Sequence, residues 1–268
     1  MEAIMEKDTI KREDQEDNFM KQLEGKVAIV TGASKGIGAG IAKKFALEGA
    51  RVVINYASDK AGAEKTAAEI EKSGGQAFIV KADVGKENEA QALVHETVKR
   101  FGKLDTLVNN AGVFRFTPFT ELDEKYFDWM MKINVLGPVL MTKAALPHFS
   151  KSGSSVVNLS SVLSQSFIPG MALYSASKAA INSLTGALAI ELAPKGIRVN
   201  AILPGATDTE GAHTLGMLGG DSEKQVIAAT PLGRIGLPED IANLAAFLAS
   251  DAASWLTGEI VRSSGGMR

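Results

Sequence analysis

Lys26-Val27-Ala28-Ile29-Val30-Thr31-Gly32-Ala33-Ser34-Lys35-Gly36-Ile37-Gly38 joins an apolar run directly to a glycine-rich turn. Lys26–Thr31 is short and β-branched, and reads as a strand. Ile37–Leu47 then repeats apolar residues at helical spacing, at Ile37, Ile41, Ala42, Phe45 and Ala46, and stops at Gly49. A strand-to-helix turn of this kind suits an anion. Glycines let the backbone approach a phosphate, while the free N–H groups and positive end of the helix face it. The spacing here is Gly-x-x-x-Gly-x-Gly rather than Gly-x-Gly-x-x-Gly, so the cluster by itself is as readily a loop as a site.

The same alternation continues outward. Strands are expected at Arg51–Tyr56, Ala77–Val80, Leu104–Val108, Ser155–Leu159, Arg198–Ile202 and Glu259–Val261. Helices are expected at Lys60–Lys72, Glu87–Phe101, Asp123–Asn134, Val135–His148, Leu173–Leu192 and Pro238–Ala249. Parallel neighbours need helical crossovers, so the pattern predicts an α/β, doubly wound, Rossmann-like parallel sheet in a single domain. Ligands of such sheets bind at the carboxyl ends of the strands, where strand order reverses.

At 268 residues, 45% hydrophobic and 22% charged, the chain has an ordinary globular balance. A net charge of −2 gives no electrostatic case for nucleic acid, and no basic run suggests a membrane surface. No apolar stretch reaches the roughly 18 residues of a spanning helix. There are no cysteines, and His95, His148 and His213 lie far apart, so no metal site is expected. Residues 1–22 are rich in Glu, Asp, Lys and Arg, unlike a signal or transit peptide. They read as a disordered or fraying arm before a domain at 23–268, with Met20 as an alternative start and the cytoplasm as the default location.

Tyr174-Ser175-Ala176-Ser177-Lys178 carries the chemistry. Lys178 lies one helical turn beyond Tyr174 on the same face. A positive charge about 5 Å from a phenolate, at an effective dielectric near 20, is worth about 3 kcal/mol, or roughly two pH units. Tyr174 is therefore expected to become a usable acid for an alkoxide formed by hydride transfer. In the cofactor turn, an acid at the end of the second strand would hold a ribose 2′-hydroxyl. Tyr56 stands there instead, between Asn55 and Ala57, and no carboxylate appears until Asp59. Lys35 and Ser58 are expected at a 2′-phosphate, which favours NADP. The alternative is a solvated Lys35 with NAD equally accepted.

These residues, with Asp83-Val84, Asn109-Asn110-Ala111-Gly112, Asn134, Ser161, Pro204-Gly205 and Thr209, resemble the short-chain dehydrogenase/reductase family over residues 26–266. The resemblance implies that Ser161, 13 residues before Tyr174, holds the substrate carbonyl, and that Lys178 also binds the nicotinamide ribose. It implies that Asn134 holds a proton-passing water, although Asn134 read alone is equally a helix breaker. Cofactor contacts are implied at Gly32, Ser34, Lys35, Gly36, Ile37, Gly38, Tyr56, Ser58, Asp83, Val84, Asn110, Ala111, Gly112, Tyr174, Lys178, Pro204, Gly205 and Thr209. Ser160, Ser164 and Ser166 are rivals to Ser161 without the family spacing. Ser263-Ser264-Gly265-Gly266 departs from the acidic-Gly-Gly ending common in the family.

Phe114, Arg115, Phe116, Leu163, Phe167 and Ile168 are expected to wall the substrate, and Gly211–Gly220, with Leu215, Met217 and Leu218, is a candidate lid. An apolar wall favours a ketone or aldehyde with a hydrophobic body over a free sugar. Three functions follow: a broad NADPH-dependent carbonyl reductase, a 3-oxoacyl-carrier-protein reductase, or a nucleotide sensor without turnover. Ile190 stands where the carrier-using enzymes usually offer arginine, and only Lys143, His148 and Lys151 are basic on the helix before the fifth strand and just past it. The resemblance also implies a homotetramer built through Val135–His148 and Leu173–Leu192.

Overall fold

Parallel strands cannot be joined by a tight turn, so each must hand the chain to a helix before its neighbour forms. The computed structural model describes residues 21–150, 153–214, 216 and 218–268, and shows this alternation throughout. The strands are β1 (Val27–Val30), β2 (Arg51–Tyr56), β3 (Gln76–Lys81), β4 (Thr106–Asn109), β5 (Ser154–Leu159), β6 (Ile197–Pro204) and β7 (Ile260–Ser263). The helices are α1 (Gly36–Leu47), α2 (Lys60–Lys72), α3 (Glu87–Phe101), α4 (Glu124–Met131), α5 (Gly137–Ala145), α6 (Ala172–Leu192), α7 (Glu210–Thr214), α8 (Gly220–Ala229) and α9 (Pro238–Ala249).

The strands form one seven-stranded sheet in the order β3-β2-β1-β4-β5-β6-β7, with every pair parallel. Strand order reverses between β1 and β4, which opens a crevice at their carboxyl ends. Alternation along each strand feeds two apolar layers. Ala28, Val30, Val52, Ile54, Val108 and Val157 face one layer with Phe45 of α1 and Ile241 and Leu248 of α9. Ile29, Val53, Leu107 and Val156 face the other, with Leu93 of α3, Met141 of α5 and Leu192 of α6. Helices on both faces make the sheet doubly wound, as its sequence pattern requires.

Two stretches depart from the sequence pattern. The run from Asp123 to His148 is not two plain helices. A π-helical segment, Lys132–Leu136, lies between α4 and α5, and a 3-10 turn at Leu146–His148 ends the run. Pro138 supplies the reason: it has no N–H for the Asn134 carbonyl four residues back, and its ring crowds that carbonyl. β4 begins at Thr106 rather than Leu104, and Asp105 just ahead of it bonds the start of β1. Its Oδ2 accepts from Val27 N at 2.8 Å. Of the expected arm, residues 1–20 lie outside the described residues; Leu23 is already buried, and its N–H donates to Glu48 O at 2.9 Å.

Candidate active site

The glycine turn is held from both sides. Thr31 Oγ1 donates to Val108 O at 3.1 Å and accepts from Asn110 N and Ala111 N, each at 3.0 Å. Asn110 Nδ2 donates to Thr31 O at 2.8 Å and Gly32 O at 3.0 Å. β4 and its Asn-Asn-Ala-Gly end therefore act as a brace for the turn. Gly32 has φ +61°, and a Cβ there would lie 2.8 Å from Ala111 Cα, so only glycine fits. A Cβ on Gly38 would collide with Asn110 Nδ2 and Gly32 O. The third support, Asn55, belongs to none of the motifs: its Oδ1 accepts from Gly32 N at 3.2 Å, and its Nδ2 donates to Ala82 O at 3.0 Å. A buried asparagine inside the apolar run Val52-Val53-Ile54-Asn55 was the available signal.

The fit of this cradle to a dinucleotide rests on close backbone packing that leaves no room for side chains at Gly32 and Gly38, and on the N–H groups at the first turn of α1, whose N-cap offers no side-chain partner. Lys35 is exposed, with its Nζ 3.8 Å from Asp59 Oδ2. Asp59 is itself engaged as the N-cap of α2, accepting from Gly62 N at 2.9 Å. Ser34 is half-buried beside Lys35, Ser58 is exposed, and Ile37 packs against the core. Tyr56 is buried in the core layer at the end of β2. Asp83 closes its own turn, accepting from Gly85 N at 3.0 Å, and Val84 packs under Gly137. Pro204 ends β6, and Gly205 admits Ser264, whose Cα would lie 2.8 Å from a Cβ there. This is how the Ser263-Ser264 tail packs without an acidic residue. The Thr209 side chain meets the turn, with its Cγ2 3.2 Å from where a Cβ on Gly36 would stand.

At the other side of the crevice α6 presents Tyr174 and Lys178. Lys178 is buried; its Nζ donates to Leu159 O at 2.8 Å and stands 5.7 Å from the centroid of the Tyr174 ring. Burial pushes the Tyr174 phenol up to about 12, with the Ser161 hydroxyl beside it pulling the other way. Burial also pulls Lys178 down to about 8. This overturns the expected lowering of the phenol. The ammonium is itself stripped of water and points at a carbonyl, so desolvation outweighs its attraction for a phenolate.

Ser161 caps a 3-10 turn: its Oγ accepts from Leu163 N at 3.1 Å, and its hydroxyl hydrogen-bonds the Tyr174 phenol. Its rivals are spent elsewhere. Ser160 Oγ donates to Lys178 O at 2.9 Å, and Ser164 Oγ donates to Ser161 O at 2.6 Å. Asn134 is buried and its side chain is fully engaged. Nδ2 donates to Val113 O at 2.9 Å and Ser177 Oγ at 3.0 Å, and Oδ1 accepts from Val113 N at 2.8 Å. Asn134 Oδ1 and Lys178 Nζ would each stand 3.4 Å from a Cβ on Gly112, so the three meet at one point.

Phe114 lies against Tyr174, with ring centroids 5.7 Å apart and planes tilted by 53°. The ring of Phe116 borders Gly170. Leu163 is half-buried, whereas Phe167, 78% exposed, is not gathered with the others. Met217 and Leu215 lie outside the described residues. Among the described residues no helix is long and apolar enough to cross a membrane.

Residues 32–268 match the family model described as enoyl-(acyl carrier protein) reductase. An uncharacterised oxidoreductase of Methylorubrum extorquens is 51% identical, covering 93% of this chain and 100% of that protein. Glucose 1-dehydrogenase 2 of Bacillus subtilis is 42% identical over 92% of this chain and 96% of its own. The crystal structure of a short chain dehydrogenase from Burkholderia cenocepacia in complex with NADP superposes with a TM-score of 0.86. It is 35% identical and covers 92% of this chain and 99% of that one. The seven-stranded parallel sheet, the braced glycine turn and these relatives agree: the chain belongs to the short-chain dehydrogenase/reductase family, whose members are NAD(P)-dependent oxidoreductases.

Proposed function

We propose that the protein reduces a ketone or aldehyde to an alcohol at the expense of NADPH, with Tyr174 as the general acid. The observation that carries this reading is the meeting of Ser161, Tyr174 and Lys178 beside the glycine turn, with the Ser161 hydroxyl already at the Tyr174 phenol. The nicotinamide cofactor, when bound, supplies the hydride. Ser161 donates to the carbonyl oxygen and orients it. Tyr174, kept protonated by burial, gives its proton to that oxygen as charge develops. Lys178 holds the nicotinamide ribose and returns positive charge to the phenolate left behind. Asn134 serves the proton path through its backbone carbonyl, since its side chain is committed.

Preference for NADPH is supported by the exposed Lys35 at the edge of the turn and by the absence of a carboxylate from Asn55 to Ser58. Phe114 over Tyr174 favours a substrate with an apolar body. A carrier-bound acyl substrate is disfavoured by Ile190, which is 81% exposed where a cation would greet an acidic carrier. The test is oxidation of NADPH and NADH against aryl ketones, β-keto esters, acyl thioesters and sugars. Turnover of ketones with NADPH is expected; turnover confined to sugars, or an equal rate with NADH, would overturn the reading.

A further inference from the structure

The cradle already holds an anion, and it comes from this chain. Gly36 N, at the first turn of α1, donates to Glu210 Oε2 at 3.1 Å. Glu210 is exposed and opens α7, directly after Thr209, whose side chain rests on the same glycine. A cleft of about 290 Å³ beside the turn is lined by Ser34, Lys35, Lys43, Lys65 and Glu210. Two of those lysines are paired with other carboxylates, Lys35 with Asp59 at 3.8 Å and Lys43 with Glu69 at 3.1 Å. The Glu210 carboxylate therefore answers to the helix N-terminus, where free N–H groups and the macrodipole favour negative charge.

We infer that Glu210 competes with the cofactor pyrophosphate for the glycine turn, and so sets how tightly the cofactor is held and how readily it leaves. The inference rests on the reading of this turn as the cofactor cradle. An N–H at 3.1 Å from a carboxylate oxygen has no room for a phosphate oxygen on the same line, so the two anions exclude one another. Once displaced, the carboxylate remains tethered one residue from Thr209 and opposes the pyrophosphate by like charge. Product release limits turnover in many enzymes, and a tethered anion that re-enters the turn assists departure of the spent cofactor.

The test titrates the full chain with NADPH, following tryptophan quenching, for wild type, Glu210→Gln and Glu210→Ala. Both variants are expected to bind NADPH about tenfold more tightly than wild type. Their advantage should shrink between about 50 mM and about 0.5 M NaCl, as screening weakens the repulsion. The rise in Tm on adding NADPH should be larger in both variants. Unchanged or weaker binding in both variants overturns the inference while leaving the cofactor site intact. Tighter binding in Glu210→Ala but not Glu210→Gln assigns the effect to bulk and overturns competition by charge. If the wild-type chain binds neither NADPH nor NADH, the cofactor reading falls and this inference with it.

Discussion

Tyr174 and Lys178 are both driven towards their neutral forms, and this gives the reaction a direction in pH. The phenol, pushed up to about 12, stays protonated through the neutral range, as an acid for reduction must. Lys178, pulled down to about 8, loses its charge as pH rises through that value. For reduction, kcat/KM should therefore hold a plateau below about pH 8 and decline above it, even though the phenol itself remains protonated. A profile still rising at about pH 10 would remove Lys178 from that role. Tyr174→Phe removes the proton and little else, so turnover should fall by about a thousandfold or more, with NADPH affinity changed less than about twofold. A variant that keeps more than a few per cent of wild-type kcat would take the acid role away from Tyr174. The pairing of Tyr174 and Lys178 was legible from their spacing alone. The direction of their pKa shifts was not, because it depends on burial by residues distant in sequence, among them Phe114 and Leu159.

At the level of elements, the strand–turn–helix opening and the alternation that follows were readable because period-two and period-3.6 patterns survive in sequence. What escaped was tertiary in origin. Asn55 looks like an interruption of β2 until Gly32 is set against it, and Glu210 is an ordinary exposed acid until α7 is laid beside the turn. The π-helical segment is the clearest case. Its apolar residues fit a helix, and only Pro138 reports that the Asn134 carbonyl cannot take a helical bond from four residues on. On the role proposed for the Asn134 carbonyl, Pro138 would position the proton path. Pro138→Ala restores an N–H that can bond Asn134, straightening the segment. We expect kcat to fall about threefold to tenfold, the solvent isotope effect on kcat to grow, and Tm not to drop. Wild-type kcat with an unchanged isotope effect would show that the segment has no part in proton movement.

For the whole molecule, the outstanding feature is apolar surface that its own helices leave uncovered. α6 buries Ile181, Ala189 and Leu192 against the sheet and its neighbours, but Ile190 remains 81% exposed. Trp255 is 97% exposed on the loop that leads to Gly258, and a Cβ on Gly258 would touch Ala189. Leu136 and Val139 add an exposed apolar strip at the start of α5. Fully burying an isoleucine side chain stabilises by roughly 1.5–3 kcal/mol, and an indole buries more area still, so these faces favour association. Two separate faces, each repeated by symmetry, make a closed tetramer rather than a dimer. We therefore expect a homotetramer by light scattering at micromolar concentration. Ile190→Asp and Trp255→Glu should each lower the assembly to dimer or monomer, because an unpaired carboxylate is costly to bury in an apolar interface. In Ile190→Asp, Trp255 fluorescence should shift to the red as the assembly dissociates. A monomeric mass for the fully active wild-type protein would leave both faces without a partner of this kind and end the proposal.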